Sequence, residues 1–311
     1  MSKIKFSIFL LALCLILTAC RPQTTTSSPI PEPETLEVTS TPEPTTADAG
    51  ENLPETTIPT EPDESGPART GLIPGCEAGS WVSPVDGARI ICIPNGDFPM
   101  GALDDDVDAE EDERPLHMQA MSNFWIYETE VTNAMFDLFV SATGYTTTAE
   151  LDGYSHTYQD GTWLEVENAD WMHPQGSDSD LADKMNHPVV NISHEDAQNY
   201  CTWSNDGYLP MEKDWEKAAR GPNEQIFPWG SAPPSAETVN STGEPYPTTA
   251  PVFDLAAGIS PYGLYHMSGN AAEWISHRYN PDYYTTGRAY PEGEGYPEQS
   301  RGGGWLSEIR A

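Results

Sequence analysis

The sequence predicts an α+β domain with few regular elements over residues 76–311. Three observations point there. Helical patterns are short and separately capped, strand-like apolar runs such as Ile90 to Ile93 last only four residues, and large rings are abundant. Of the 8 Phe, 14 Tyr and 9 Trp, only Phe6 and Phe9 lie outside residues 76–311. So many rings in one domain serve as packing material where regular structure is scarce, and as pocket walls they also suit sugars or peptides.

Taken in order, Ile90 to Ile93 reads as a buried strand. Thr132 is an N-cap for a helix with Phe136, Phe139 and Val140 inward, closed near Gly144. Val189 to Ile192 reads as a second strand, and Ser193 with Asp196 forms a capping box for a helix burying Ala197, Tyr200 and Cys201. Leu209-Pro210 leads into a third helix with Trp215, Ala218 and Ala219 on one stripe. Gly221 supplies its left-handed exit, and Phe227-Pro228-Trp229-Gly230 makes an aromatic turn. No internal repeat is present.

The N-terminal residues set the compartment. Lys3 and Lys5 precede an apolar run from Phe6 to Leu17 that is too short to span a bilayer, and Leu17-Thr18-Ala19-Cys20 follows directly. Residues 1–20 therefore read as a bacterial lipoprotein signal peptide lipidated at Cys20, the alternative being an ordinary cleaved signal. Several acyl chains would anchor the protein to the outer face of the cytoplasmic membrane. Residues 21–75 are rich in Thr, Ser and Glu, with ten prolines between Pro22 and Pro67 and no aromatic residue, too little apolar surface to offset the entropy of folding. They read as a disordered tether with a reach of roughly 40 Å.

Charge excludes one class of partner. Without Lys3 and Lys5, 12 basic residues face 49 acids, a formal charge of −37, so nucleic acid would be repelled. The acid run from Asp104 to Glu113 lacks the turn glycine and spaced ligands of a calcium loop and reads as solvated. The expected partners are the membrane, through the lipid, and a protein, peptide or glycan ligand. In an oxidising exterior, Cys76 and Cys92 bracket a turn at Pro84 to Gly87, so a disulfide across a hairpin is expected, two free thiols being the alternative.

The run Tyr208 to Gly230 closely resembles the signature of the formylglycine-generating enzyme (sulfatase-modifying factor) family. Further blocks recur in that family's order: Phe98-Pro99-Met100-Gly101 as its first strand, and Glu113 to His117 leading to Phe124-Trp125-Ile126 and Glu130-Val131-Thr132-Asn133. His187 to Ser193, Glu195-Asp196-Ala197 and Tyr200 to Trp203 come next, followed by Tyr262 to Tyr265, Met267 to Asn270, Glu273-Trp274 and Arg301 to Trp305. The resemblance implies a formylglycine-generating-enzyme-like fold, itself similar to C-type lectin domains.

It also implies chemistry that this chain only partly matches. Enzymes of the family bind Cu(I) through two thiolates, and the first falls at Ser307 here, a hard and protonated oxygen that is a poor Cu(I) ligand. The second falls just past Ala311. Copper-dependent oxidation of a sulfatase cysteine is therefore not expected of this chain; the alternative is an oxidase in which this sequence is a C-terminally incomplete piece. Family members with a cysteine at Cys201 pair it in a C-terminal strand that also lies beyond Ala311. A calcium site is implied at the carbonyls of Gly269 and Ala271 and the carboxylate of Glu273, with His266 where the family has Asp or Asn, and Asn240 belongs to a second implied site. In the third helix, Met211 stands where a capping Thr is usual. His117 and His187 read as packing residues, and His194 stands where the family often has Trp.

Overall fold

The computed structural model describes residues 74–309, apart from 104–105, 107–108, 160 and 288–296; the signal segment and tether lie outside the described residues. In chain order the strands are β1 (Ser80–Val82), β2 (Arg89–Ile93), β3 (Gly96–Met100), β4 (His117–Met121) and β5 (Phe124–Tyr127). Helices α1 (Asn133–Thr143) and α2 (Thr148–Asp152) precede β6 (Tyr154–Gln159) and β7 (Thr162–Glu167). After these come α3 (His194–Asn205), α4 (Glu212–Arg220), β8 (Glu273–Arg278), α5 (Tyr283–Thr286) and β9 (Glu298–Arg301). β1, β2 and β5 make a three-stranded antiparallel sheet, and β3–β4, β6–β7 and β8–β9 make two-stranded ones. This is the expected α+β architecture with short elements.

Local chemistry explains the helices. Thr132 accepts a hydrogen bond from the Met135 amide, and Gly144 closes α1 in the left-handed conformation at φ 67°. Phe136 and Phe139 are buried against Trp171, Val189 and Tyr200, and Val140 packs at the margin. The Ser193–Asp196 capping box is present in α3, each side chain accepting from the other residue's amide. A second core joins Ile91 and Ile93 of β2 to Trp215, Ala218 and Ala219 of α4 and to Leu264, Met267 and Ile275. Filling each such position with a fully buried ring or aliphatic chain is worth roughly 1.5–3 kcal/mol.

Three expectations need correction. Val189 to Ile192 is not a strand: Thr132 and Pro188 form a single bridge, and the chain turns at Asn191, whose φ of 58° ends any extension. The Asn191 amide holds that turn by donating to the carbonyls of Asp170 and Pro174. Gly221 has φ 72° but ψ −162°, a glycine conformation other than left-handed helix, and a β-carbon there would come within 2.7 Å of Pro261. Cys201 is half-buried rather than interior. Phe98 to Met100 forms a strand as expected, within β3. The structure adds α2 and the β6–β7 hairpin to the expected elements, with a Thr147–Glu150 capping box and positive φ at Gly153 and Gly161.

Cys76 and Cys92 are joined in a disulfide that ties the turn before β1 to β2. Among the described residues no helix is long and apolar enough to cross a membrane.

At the start of α4, Met211 occupies the N-cap position with extended backbone and no side-chain capping bond. Met211→Thr should therefore raise unfolding stability by about 1 kcal/mol. Chemical denaturation of both proteins measures this, and an unchanged midpoint would show that the helix end gains nothing from a hydroxyl.

Candidate binding cleft

A cleft of about 710 Å³ opens beside α4. One wall is α4 itself, where Glu212, Glu216 and Arg220 stand at spacings of four and so share one stripe. Glu216 Oε1 accepts from the Gly101 amide at 2.8 Å and from Arg220 at 2.6 Å, and Arg220 also donates to the Gly101 carbonyl at 2.8 Å. A β-carbon at Gly101 would meet the Pro115 carbonyl at 2.7 Å, so only glycine lets the end of β3 approach this closely. Tyr284 on α5 donates to Glu216 Oε2 at 2.6 Å and touches Glu212 Oε1 at 3.2 Å.

Arg301, ending β9, forms an ion pair with Glu212 at 3.0 Å and lies 5.3 Å from the centre of the Trp215 ring. The pair lacks hydrogen-bond alignment, for Arg301 Nε and Glu212 Oε2 are buried without partners. Burial pushes the Glu212 carboxyl up, against the pull of Arg301. Burial alone would depress Arg301, but Glu212 first, then Tyr284 and Glu216, outweigh it and hold the guanidinium firmly cationic.

Ser307 lies in the cleft wall. Its hydroxyl accepts from the Gly304 amide at 2.9 Å, and its own amide donates to the Gly304 carbonyl at 2.9 Å, closing a tight turn. Met267 carries the only sulfur among the described lining residues. Cys201 sits on α3, with its thiol pushed up to about 12 by burial and the Asp86 charge. Neither group supplies a thiolate in the cleft, so the described residues do not fit a Cu(I) centre.

The residues of the implied calcium sites are close in the fold. Gly269 and Ala271 flank Asn270 on the loop entering β8, where Glu273 accepts from Trp215 Nε1 at 3.0 Å. Buried Asn270 donates to both oxygens of Glu130 and accepts from Asn240 at 3.1 Å and the Ala250 amide at 2.6 Å. Asn240 spends its own oxygen on the Tyr246 amide, and the His266 ring, kept neutral by burial, lies 3.2 Å from the Pro251 carbonyl. Asn240 and His266 are thus engaged by neighbouring backbone, and the Glu273 carboxylate is engaged by Trp215. Among the described residues no three His, Cys, Asp or Glu gather to hold a metal.

A sequence profile of the sulfatase-modifying factor enzyme 1-like domain matches residues 82–311. The chain belongs to this family. It is 37% identical over 226 residues to the formylglycine-generating enzyme of Thermomonospora curvata, covering 63% of this chain and 74% of that protein. It is 32% identical over 269 residues to the formylglycine-generating enzyme of Bos taurus, covering 77% and 71%. The inactive C-alpha-formylglycine-generating enzyme 2 of Bos taurus is 32% identical over 231 residues, covering 65% and 75%. PvdO from Pseudomonas aeruginosa shares the fold at a TM-score of 0.58 and 24% identity, over 73% of this chain and 85% of that one.

Within this sulfatase-modifying-factor domain, sequence reasoning singled out Ser307, Gly269, Ala271, Glu273 and Asn240 but missed Glu212, Glu216 and Tyr284. The spacing of Glu212, Glu216 and Arg220 on an otherwise buried helix face was the available signal. The acid run also differs from expectation: Asp106, Glu110 and Glu113 border the cleft, and burial raises the Glu113 carboxyl. Cys20 lies outside the described residues. His117 meets the Tyr284 ring edge-on, His187 contacts Thr249 and His194 reaches the Ile275 carbonyl.

Burial pushes the Glu273 carboxyl up to about 7, and burial with the Glu273 charge raises Glu130 as well. A raised folded-state value means the native protein holds the proton more tightly. The stability Glu273 contributes is thus complete below the ordinary carboxylate range and is lost as pH rises through 7. In the presence of a chelator, Glu273→Gln should match the parent near acid pH and exceed it in melting temperature at alkaline pH. Parallel curves at all pH values would show that Glu273 titrates normally.

Proposed function

We propose that this protein is an exported, lipid-anchored member of the family whose cleft binds a ligand at the cell surface without copper chemistry, as a binding or accessory factor. The observation that carries this reading is Ser307, whose hydroxyl stands where the resemblance puts the first copper thiolate and accepts the Gly304 amide. An inactive relative at 32% identity supports the reading that this fold persists without oxidase activity. The Leu17-Thr18-Ala19-Cys20 motif supports the anchor, and Gly269, Ala271 and Glu273 support calcium as a structural ion.

The second reading is a formylglycine-generating oxidase whose thiolates lie on chain following Ala311, favoured by the 37% identity to the Thermomonospora curvata enzyme. The two readings part in one assay. A peptide containing Cys-x-Pro-x-Arg, incubated with oxygen, Cu(I) and this chain, should show no mass change at its cysteine. Conversion by the chain as given would overturn the binding reading, and conversion only by a longer chain would establish the oxidase.

For the anchor, expression in a bacterial host with a fatty-acid probe should label the protein and send it to the detergent phase. Cys20→Ala should abolish both. Labelling that survives the substitution would refute lipidation at this residue.

A further inference from the structure

We propose that the open edge of β7 takes up an extended basic peptide as an added strand. β7 pairs with β6 alone, in unbroken register from Tyr154 opposite Glu167 to Gln159 opposite Thr162. With two residues between them, Gln159 and Thr162 are a hydrogen-bonded pair, and Asn168 keeps that phase by donating to the Gly153 carbonyl at 2.8 Å. The alternate residues Trp163, Glu165 and Glu167 therefore direct their amides and carbonyls away from β6. Among the described residues these three amides have no acceptor beyond the hairpin. Natural edges are blunted by short length, lysine, proline or a bulge. β7 runs for six residues, none of them Lys or Pro, without a register shift and with five of the six exposed.

Charge selects the occupant. The side chains of Trp163, Glu165 and Glu167 share one face with Tyr154, His156 and Tyr158, and no Lys or Arg stands on it. Among the described residues neither glutamate forms an ion pair or side-chain hydrogen bond. The two carboxylates recur every second residue, about 6.7 Å apart, which is also the spacing of alternate side chains on an added strand. A peptide with basic residues at alternate positions would therefore meet Glu165 and Glu167 cross-strand and lay a third cation over Trp163. That ring is 61% exposed, and Tyr158 stands 5.7 Å from it and 5.8 Å from Trp305. A second copy of the chain, with a formal charge of −35, would bring acids against acids instead. None of these β7 residues lines the cleft, so the peptide is a partner additional to any cleft ligand.

The test follows amide hydrogen exchange of the full chain by NMR at low salt while an acetylated, amidated Thr-Lys-Val-Lys-Val-Lys-Thr peptide is added. Exchange at Trp163, Glu165 and Glu167 should slow by about ten-fold once the peptide stands at about ten times its Kd. Leu164 and Val166, whose amides already face β6, should not change. Glu165→Lys should weaken binding by about five-fold, and Glu165→Gln should weaken it less and serves if the first variant fails to fold. The same peptide N-methylated at its lysine and valine nitrogens keeps its charge, cannot donate to an edge, and should give no protection. Equal protection by the methylated peptide, none by the parent peptide at roughly 1 mM, or indifference to both substitutions overturns the inference. Two further results would overturn it by naming another occupant. Protection that needs no peptide and grows with protein concentration would assign the edge to a second copy, and protection by neutral cellohexaose in place of the peptide would assign the ring face to a glycan.

Discussion

The Glu216 carboxylate, 2% exposed, ties three separate parts of the chain to one point. One oxygen receives the Gly101 amide at the end of β3 and the Arg220 guanidinium, and the other receives Tyr284 from α5. Each of those partners reaches further: Arg220 to the Gln225 carbonyl beyond α4, and Tyr284 to Glu212 and through it to Arg301 at the end of β9. Removing one partner of a buried charged set leaves the others uncompensated, typically at 3–5 kcal/mol, so the cluster specifies one mutual placement of α4, β3 and β9.

The same device recurs elsewhere in a fold with little sheet or helix to organise it. Asp86 accepts the hydroxyls of Tyr127 at 2.5 Å and Tyr200 at 2.7 Å, fastening the β1–β2 turn to β5 and α3. Asn270 joins Glu130, Asn240 and Ala250, fixing the loop that leads into β8. Lys217, 1% exposed, donates to the carbonyls of Pro94 and Gly96 between β2 and β3. Where backbone ladders are short, buried side chains satisfy the loop backbone, and each such pin is demanding because an unmade bond there costs more than a made one gains.

That arrangement explains what could be read in advance. Capped helices were legible because Thr132, Gly144, Ser193 and Asp196 act within a few residues of themselves. The strand expected over Val189 to Ile192 failed because its apolar pattern is imposed by packing on Phe136 and Trp171, while Asn191 breaks the backbone. Ser307, Gly269, Ala271 and Glu273 were reachable through motif order alone, since their roles depend on segments distant in sequence. Motif order also reached Glu130, but not its bond to Asn270, 140 residues away, because no local pattern encodes that bond.

The separation between framework and chemistry is itself physical. The cluster at Glu216 and the Trp215–Glu273 bond fix α4 against β8 and β9 without using any group that a redox metal would need. Ser307 by contrast sits in a turn that closes on its own backbone, its hydroxyl bonded to Gly304 and its β-carbon neighbour being Gly303, at φ 70°. Exchanging oxygen for sulfur there changes one short-range hydrogen bond and leaves the charged framework intact. A domain so constructed can lose or gain thiolate chemistry at one position while keeping its cleft, which is why membership of the family fixes the fold here and the residues in the cleft must decide what it does.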